Sequence, residues 1–453
     1  MKWGKTGNGK EKIMENQMRK RFIRYVSANI WGMLGLSCYI LADTYFIAAK
    51  LGAEGLTALN LAIPAYSVMN GVGLMIGVGA ATRFAILRSR HAEKEANQIF
   101  TTAFMLAVLF SLAFFAAGML GSDWLAGMLG ASAGIRPMTA AYMRTMYWFA
   151  PLFLMNNLLI AFIRNDGRPS RAMAGMLSGS FFNIIMDYVM LFPLDLGMFG
   201  AAFATCMSPA VSLIVMSPHF WNKQNTFHLT GRKGLRAIRL RDLGSIFGLG
   251  MASLINEISS AVVLIVFNLL ILQMEGDIGV AAYGVVANLA LVAVALFTGI
   301  AQGSQPLFSE AYGKGNRTEQ KQLLHDSILC ALGIGGLLTA GAWLFTAPLV
   351  GLFNQQGDLR LAVMAEQGLR LYFPGFLCAG LNIVAASYFS ATEQPGASLF
   401  VALLRGFFCI LLFAVLLSRF FGMEGIWLSF GAAEAVTLCG AVMLMRKKRG
   451  MEV

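Results

Sequence analysis

Four carboxylates stand alone inside long apolar stretches of this sequence. The stretches are residues 27–49 around Asp43, 172–194 around Asp187, 243–274 around Glu257 and 425–445 around Glu434, and each holds no other charged residue. An ionised side chain is costly in the centre of a bilayer, so residues of this kind commonly mark the path of an ion or a substrate. These acids are therefore the first candidates for functional residues.

Two of the acids have oxygen-bearing neighbours one helical turn away. Asn183 precedes Asp187 by four residues and Tyr39 precedes Asp43 by four, so each pair lies on one face of a helix. Thr205 adds a hydroxyl further along the chain. If these faces meet, two carboxylates, an amide oxygen and a hydroxyl would suit Na⁺ or a shared proton. Two close carboxylates in a medium of low dielectric resist ionising together.

The other two acids have different surroundings. Glu257 shares a helix face with Ser253 and Ser260, which makes it a second candidate for binding a substrate or a coupling ion. For Glu434 two interpretations stay open. Its carboxylate either faces a cleft or forms an ion pair with Arg405.

The composition indicates a polytopic membrane protein. Of the 453 residues, 57% are hydrophobic and 13% are charged. Apolar runs long enough to cross a bilayer predict twelve transmembrane helices, and no run shows the alternation of a membrane β-barrel. The predicted spans are 25–48, 56–82, 98–120, 138–163, 172–194, 197–217, 245–272, 280–307, 323–348, 370–390, 397–418 and 425–445. We therefore expect an all-α membrane protein whose first span is retained, since it does not resemble a cleaved signal peptide.

The formal net charge of +12 has a topological explanation. Lys and Arg concentrate in alternate loops, among them Arg88, Arg90, Lys94, Arg164, Arg168, Arg171 and the segment 223–241, together with both tails. This distribution follows the positive-inside rule and predicts a cell inner (plasma) membrane protein with both termini in the cytoplasm. It does not favour a nucleic-acid partner. The six cysteines lie within predicted spans and show no disulfide or metal-ligand spacing.

The chain also repeats itself. At an offset of about 224 residues, the turn beginning at Gly52 aligns with the turn beginning at Gly276, and 197–200 aligns with 422–425. We therefore expect an amino-terminal lobe of six helices at 1–221, a basic cytoplasmic linker at 222–242 and a carboxy-terminal lobe of six helices at 243–453. Two pseudo-symmetric lobes with a cleft between them favour transport by alternating access.

The sequence gives fewer signals for the cleft itself. Asn156, Asn157 and Gln305 are polar residues that could line it, although amides in membrane helices often only tie neighbouring helices together. No ATP-type phosphate-binding loop and no HExxH motif is present, so we expect neither an enzyme nor an ATP-driven pump, and no cofactor. Movement of H⁺ or Na⁺ down its gradient would supply the energy.

Several of these residues together resemble the multidrug and toxic compound extrusion (MATE) family of transporters, in particular its prokaryotic members. The resembling segments are 41–44 followed by 50–52, Asn183 to Asp187, Gly197 to Thr205, and Gln305-Pro306. The resemblance covers essentially the whole chain and implies twelve helices in two lobes that form a V.

The resemblance also implies roles for individual residues. The cation site of the amino lobe is similar to Asp43, Asn183, Asp187 and Thr205 here, with Tyr39 and Tyr142 nearby, and Glu257 is similar to the seventh-helix glutamate of another branch. That branch also has an acid in its tenth helix, whereas the run 371–390 has none. We therefore expect the ion gradient to act through the amino lobe, and Glu257 to affect substrate binding or coupling.

The sequence accordingly predicts a monomeric multidrug efflux antiporter that exports organic, cationic compounds in exchange for H⁺ or Na⁺. The first alternative is a flippase for lipid-linked oligosaccharides, which should have a more cationic cleft. Only Arg144, Arg370 and Arg405 are available here for that purpose. A membrane-embedded enzyme and a passive channel are further alternatives, which the missing catalytic motifs and the isolated carboxylates respectively disfavour.

Overall fold

The regular structure of this protein is helical. The computed structural model describes residues 5–231, 239–354 and 357–451, and within these ranges there is no β-strand. The α-helices are Lys5–Ser89, Glu93–Met128, Arg136–Trp148, Ala150–Asn165, Pro169–Leu191, Gly197–Met216, Leu240–Gly313, Arg317–Leu344, Thr346–Gly351, Leu359–Tyr372, Gly375–Ala391, Pro395–Leu403 and Cys409–Met451. A 3₁₀ turn, Ser217–His219, and a π-helical turn, Leu404–Phe408, complete the described elements. The prediction of an all-α fold is confirmed.

Twelve membrane crossings can be traced through these helices. By length and composition, eight described helices could cross a membrane, or ten if each of two bent pairs forms one span. The bent pairs are Arg136–Trp148 with Ala150–Asn165, at 52°, and Leu359–Tyr372 with Gly375–Ala391, at 49°. The segments Leu240–Gly313 and Pro395–Lys447 are each longer than two crossings of about 20 residues require. Each also has a break in its helical dihedrals, at Gly276 and Gly422, which separates two spans.

The two halves share the same breaks. Gly52, between the first and second spans, has φ 64° and ψ −155°, and Gly276, between the seventh and eighth, has φ 65° and ψ −154°. Positive φ favours glycine, because a Cβ is strained there. The two breaks are about 224 residues apart, as the sequence repeat requires. The bent fourth and tenth spans match in the same way, so the fold consists of two pseudo-symmetric six-helix lobes.

The outer surface of the bundle is apolar. In the third span Leu112, Leu120 and Trp124 are exposed, and in the ninth span Leu337 and Leu344 are exposed. A soluble monomer rarely shows so much contiguous apolar surface. These side chains are suited to contact lipid, which agrees with the hydropathy of the spans.

The lobes meet backbone to backbone at one end of the bundle. A Cβ added to Gly250, in the seventh span, would lie 1.9 Å from the Met75 carbonyl oxygen in the second span. In the equivalent contact, a Cβ on Gly303 of the eighth span would lie 2.7 Å from Val26 Cα in the first span. These contacts form the interlobe seam, which closes the end of the bundle at which the first span begins.

Polar side chains reinforce the interlobe seam. Arg21 Nη2 donates to Glu310 Oε2 at 2.7 Å. Glu393, at the end of the tenth span, accepts from Arg83 and from Arg90 of the amino lobe. Each of these bonds joins one lobe to the other, so they must break if the lobes separate at this end.

The start of the predicted linker is fixed to the amino lobe. Asp166, in the turn between the fourth and fifth spans, is buried and lies 2.9 Å from His219 Nε2. It also accepts from Arg88 at 2.6 Å and from the Thr226 backbone N–H at 3.3 Å. Residues 232–238 of the predicted linker lie outside the described residues, and the boundaries at 221 and 243 stay a prediction.

The seam glycines lead to a conformational prediction. Gly250→Ala should hold the seam apart, because its Cβ would clash with backbone rather than with a flexible side chain. Spin labels on cysteines replacing exposed Glu95 and Lys321, in a background without the native cysteines, should then report a longer distance between the lobes. Gly284→Ala, where a Cβ meets nothing within 4 Å, is the matched control. An unchanged distance in Gly250→Ala would contradict the prediction.

Candidate functional site

The fifth and sixth spans build one wall of the candidate site. Asn183 and Asp187 are both fully buried and lie on one face of the fifth span, as their spacing indicates. In the orientation that satisfies both of its polar atoms, the Asn183 amide donates to Asp187 Oδ2 at 3.0 Å and accepts from the Thr205 backbone N–H at 3.3 Å. The Thr205 hydroxyl lies within the same buried region and bonds to the Ala201 carbonyl.

The first span contributes the second carboxylate. Asp43 is buried, and its carboxyl group lies within hydrogen-bonding reach of the Asp187 carboxyl group. Each of the two groups has a buried Oδ1 that receives no hydrogen bond from the described residues. Ionised carboxylates only accept hydrogen bonds, so the pair requires either a proton on one of them or a cation between them. The structure therefore brings together the oxygens that the sequence predicted.

Two tyrosines lie beside this carboxylate pair. Tyr39 is buried one turn before Asp43, and its hydroxyl lies close to that of Tyr66 in the second span. Tyr142 is also buried and lies close enough to Asp43 and Asp187 to interact electrostatically with them. The site is thus enclosed by aromatic side chains within the amino lobe.

The donor set suits only certain ions. Among the described residues no group of three or more His, Cys, Asp or Glu side chains is arranged to hold a metal ion. Asp43, Asn183, Asp187 and Thr205 instead offer two carboxylates and neutral oxygens, which are hard ligands. The unpartnered Oδ1 atoms fit a proton or Na⁺ as a transported ion.

A second polar group lies where the lobes face each other. Asn157, in the fourth span, donates to Asn70 Oδ1 in the second span at 2.9 Å. The Asn70 amide also lies near the Glu257 carboxyl group of the seventh span, close enough to stabilise its charge. Asn156, beside Asn157, has a buried Oδ1 without a partner in the described chain. Asn70, Asn157 and Glu257 remain partly exposed at this approach of the two lobes, and Asn156 is partly exposed beside them.

Gln305 ties helices together, which is one of the two roles the sequence left open, whereas Arg164 lies elsewhere than the charge pattern suggested. Gln305 is buried in the interlobe seam, where it donates to Thr82 Oγ1 at 2.8 Å and accepts from Asn165 at 3.1 Å. Its contacts hold the lobes together instead of lining the cleft. Arg164, which the charge pattern assigned to a loop, is only 1% exposed and donates to Asn29 and Gln302 at 2.8 and 2.7 Å.

The two interpretations of Glu434 are resolved in favour of the ion pair. Glu434 is buried, and its Oε1 accepts from Arg405 Nη2 at 2.7 Å. Asn382 of the tenth span donates to Glu434 Oε2 at 2.7 Å and to its backbone carbonyl. Arg405 lies in the π-helical turn of the eleventh span. The acid therefore ties three helices of the carboxy lobe together.

Tyr66 and Asn70 are functional candidates that the sequence interpretation missed. They are four residues apart in the second span, the same spacing that marked Tyr39 with Asp43 and Asn183 with Asp187. Neither is charged, so a search for isolated carboxylates passes over them. A search for polar pairs at this spacing would have found them.

The Glu434 ion pair generates a prediction about stability. Glu434→Gln should lower the free energy of unfolding by about 3–5 kcal/mol, because it leaves the Arg405 guanidinium buried without a counter-charge. The double change Glu434→Leu with Arg405→Met should recover most of that loss and should still transport. Thermal unfolding of the purified proteins and efflux from cells measure the two effects. A stable double variant that does not transport would instead place Glu434 in the transport path.

Comparisons with known proteins agree with this architecture. The MatE family model matches residues 30–189 and 252–429. The multidrug export protein MepA of Staphylococcus aureus (strain NCTC 8325) is 25% identical over 418 residues, covering 90% of this chain and 89% of that protein. MepA of Staphylococcus saprophyticus is 25% identical over 411 residues, with the same coverage.

Solved structures show the same fold. An outward-facing multidrug resistance MATE transporter of the MOP superfamily superposes with a TM-score of 0.89 at 21% identity, over 95% of this chain and 96% of that one. A MOP superfamily transporter from Pyrococcus furiosus, described as having a binding pocket of reverse polarity, superposes with a TM-score of 0.88 at 20% identity, over 95% of this chain and 96% of that one. The match to MatE in both halves of the chain shows that the protein belongs to the MATE family of membrane transporters and is not an enzyme.

Proposed function

We propose that this protein is a multidrug efflux antiporter, which exports small organic cations in exchange for H⁺ or Na⁺. The main support for this proposal is the pair Asp43 and Asp187. Their two carboxyl groups are buried within hydrogen-bonding reach of each other, and each has one oxygen without a hydrogen-bond partner in the described chain. Such a pair is stable in an apolar lobe only when it holds a proton or a cation. Loading and release of that ion is the step that would be coupled to export.

The position of the pair supports coupling. It lies inside the amino lobe, and Tyr39 and Tyr66 connect it to the polar side chains that line the cleft. A cationic substrate in the cleft and a cation at the pair repel each other, so binding of one favours release of the other. A ligand shifts a conformational equilibrium only through such a difference in affinity between the states.

The distribution of basic residues supports one orientation of the bundle in the membrane. Arg21, Arg83 and Arg90 lie at the end of the bundle that the interlobe seam closes. By the positive-inside rule this end, with both termini, lies in the cytoplasm. The structure then corresponds to an outward-facing state of a plasma-membrane protein. We propose that it acts as a monomer, because each lobe of one chain supplies a wall of the cleft.

The flippase alternative lacks the cationic cleft that a pyrophosphate headgroup requires. Arg144 and Arg370 are exposed, and Arg405 is neutralised by Glu434. None of the three joins Asn70, Asn157 and Glu257 in the described cleft lining. The charged member of this group is Glu257, which is an acid, and this favours a cationic substrate.

The first test concerns the carboxylate pair. Asp43→Asn and Asp187→Asn should each lower gradient-driven efflux of a fluorescent organic cation from proteoliposomes by about tenfold or more, because an amide cannot exchange a proton or balance a cation. Asp277→Asn removes an exposed carboxylate and is the matched control. Wild-type efflux rates in both site variants would reject the pair as the coupling site.

The second test concerns the source of energy. A pH gradient and a Na⁺ gradient imposed separately on wild-type proteoliposomes should show that at least one of them alone drives efflux, because the pair can hold either ion. External ATP without a gradient should not, since the chain has no phosphate-binding loop. Concentrative transport with neither gradient present would be inconsistent with an antiporter.

A further inference from the structure

Asn70 joins the two lobes at the level of the cleft. It lies on the second span, and the spacing of four residues places Tyr66 on the same helix face one turn away. The neighbouring Gly71 lets the seventh span come close, since a Cβ there would lie 3.2 Å from Glu257 Cβ and 2.8 Å from Leu254 Cδ1. The Glu257 carboxyl group is therefore brought against the amino lobe at Asn70.

The orientation of the Asn70 amide follows from its neighbours. Its Oδ1 accepts from Asn157 Nδ2 at 2.9 Å. The Nδ2 group is then left to face Glu257, whose carboxylate is an acceptor. Asn157 thus fixes the amide in the orientation that donates to an ionised Glu257, and a hydrogen bond to an ionised group is stronger than one between neutral groups.

One turn before Asn70, the same face of the second span comes near the Asp43–Asp187 carboxylate pair. The Tyr66 hydroxyl lies close to that of Tyr39, which is one turn from Asp43. One face of the second span consequently contacts the proposed ion site through Tyr66 and the opposite lobe through Asn70. Glu257 remains partly exposed to the cleft while it makes this contact.

We propose that Asn70, oriented by Asn157, is a positioning residue that holds the Glu257 carboxylate of the opposite lobe in the cleft, where it binds the cationic group of the substrate. The inference rests on the proposed export of organic cations. Because the bond crosses between lobes, it exists only while they are close at this level. The affinity of Glu257 for a cation therefore depends on the conformational state of the transporter.

The experiment compares four proteins in proteoliposomes: wild type, Asn70→Ala, Glu257→Gln and the double variant. Asn70→Ala should raise the KM for a fluorescent organic cation by about tenfold, since it removes the amide donor that orients the charged Glu257 carboxylate. Vmax and the KM for an uncharged substrate should change little. The double variant should resemble Glu257→Gln alone, because both changes remove the same interaction.

The matched control is Asn256→Ala, which removes an amide beside Glu257 whose Oδ1 has no partner in the described chain. Asn70→Leu, of similar size, repeats the test if the alanine variant does not fold. Additive effects in the double variant, or equal KM changes for charged and uncharged substrates, would overturn the positioning role.

A wild-type protein without gradient-driven efflux would refute the proposed function but still leave a test of Asn70. In that case equilibrium binding of the same fluorescent cation to purified protein replaces KM. Weaker binding to Asn70→Ala and to Glu257→Gln, with no further loss in the double variant, would support the inference. Unchanged binding to Asn70→Ala would overturn it.

Discussion

The cost of placing charge in an apolar bundle governs this structure. Each carboxylate inside the membrane needs a proton, a cation or a donor, because its desolvation is otherwise uncompensated. The chain meets this requirement in three ways. Glu434 pairs with Arg405, Glu257 lies against the Asn70 amide, and Asp43 and Asp187 lie beside each other. The first arrangement is complete within the protein, whereas the last leaves an oxygen unpartnered on each acid and therefore depends on an external ion.

The cost of burying a charged side chain also affects the interlobe seam. Arg164 is fully buried there, donates only to the neutral amide oxygens of Asn29 and Gln302, and has an Nε with no partner among the described residues. Burial of an unpaired charge costs several kcal/mol even after relaxation. The ion pairs of Glu310 and Glu393 and the close glycine contacts act in the opposite direction. The closed seam thus combines favourable and unfavourable terms, and a near balance between them is what a transporter that alternates between states requires.

The sequence predicts local relations well and contacts between lobes poorly. The spacing of Asn183 and Asp187 places them on one helix face whatever the tertiary fold. The sequence repeat likewise aligns Gly52 with Gly276, and their backbone dihedral angles are nearly the same. The position of Arg164 depends on how the fourth span meets the eighth, which no local pattern encodes. A charge near a predicted span end looks the same whether it is exposed in a loop or buried in a seam.

The fold of the two lobes is symmetric, whereas the chemistry of their buried side chains is not. The glycine breaks and the bent spans repeat, so each lobe can move as a unit of the same shape. The carboxylates do not repeat, since the carboxy lobe has Asn268 approximately where the amino lobe has Asp43. Glu434, which is buried in the carboxy lobe, is neutralised by Arg405. A change of charge at the amino-lobe pair can therefore influence the other lobe only where the two touch. One such place is the second span, where Tyr66 lies near Tyr39 and, one turn later, Asn70 lies near Glu257 of the other lobe.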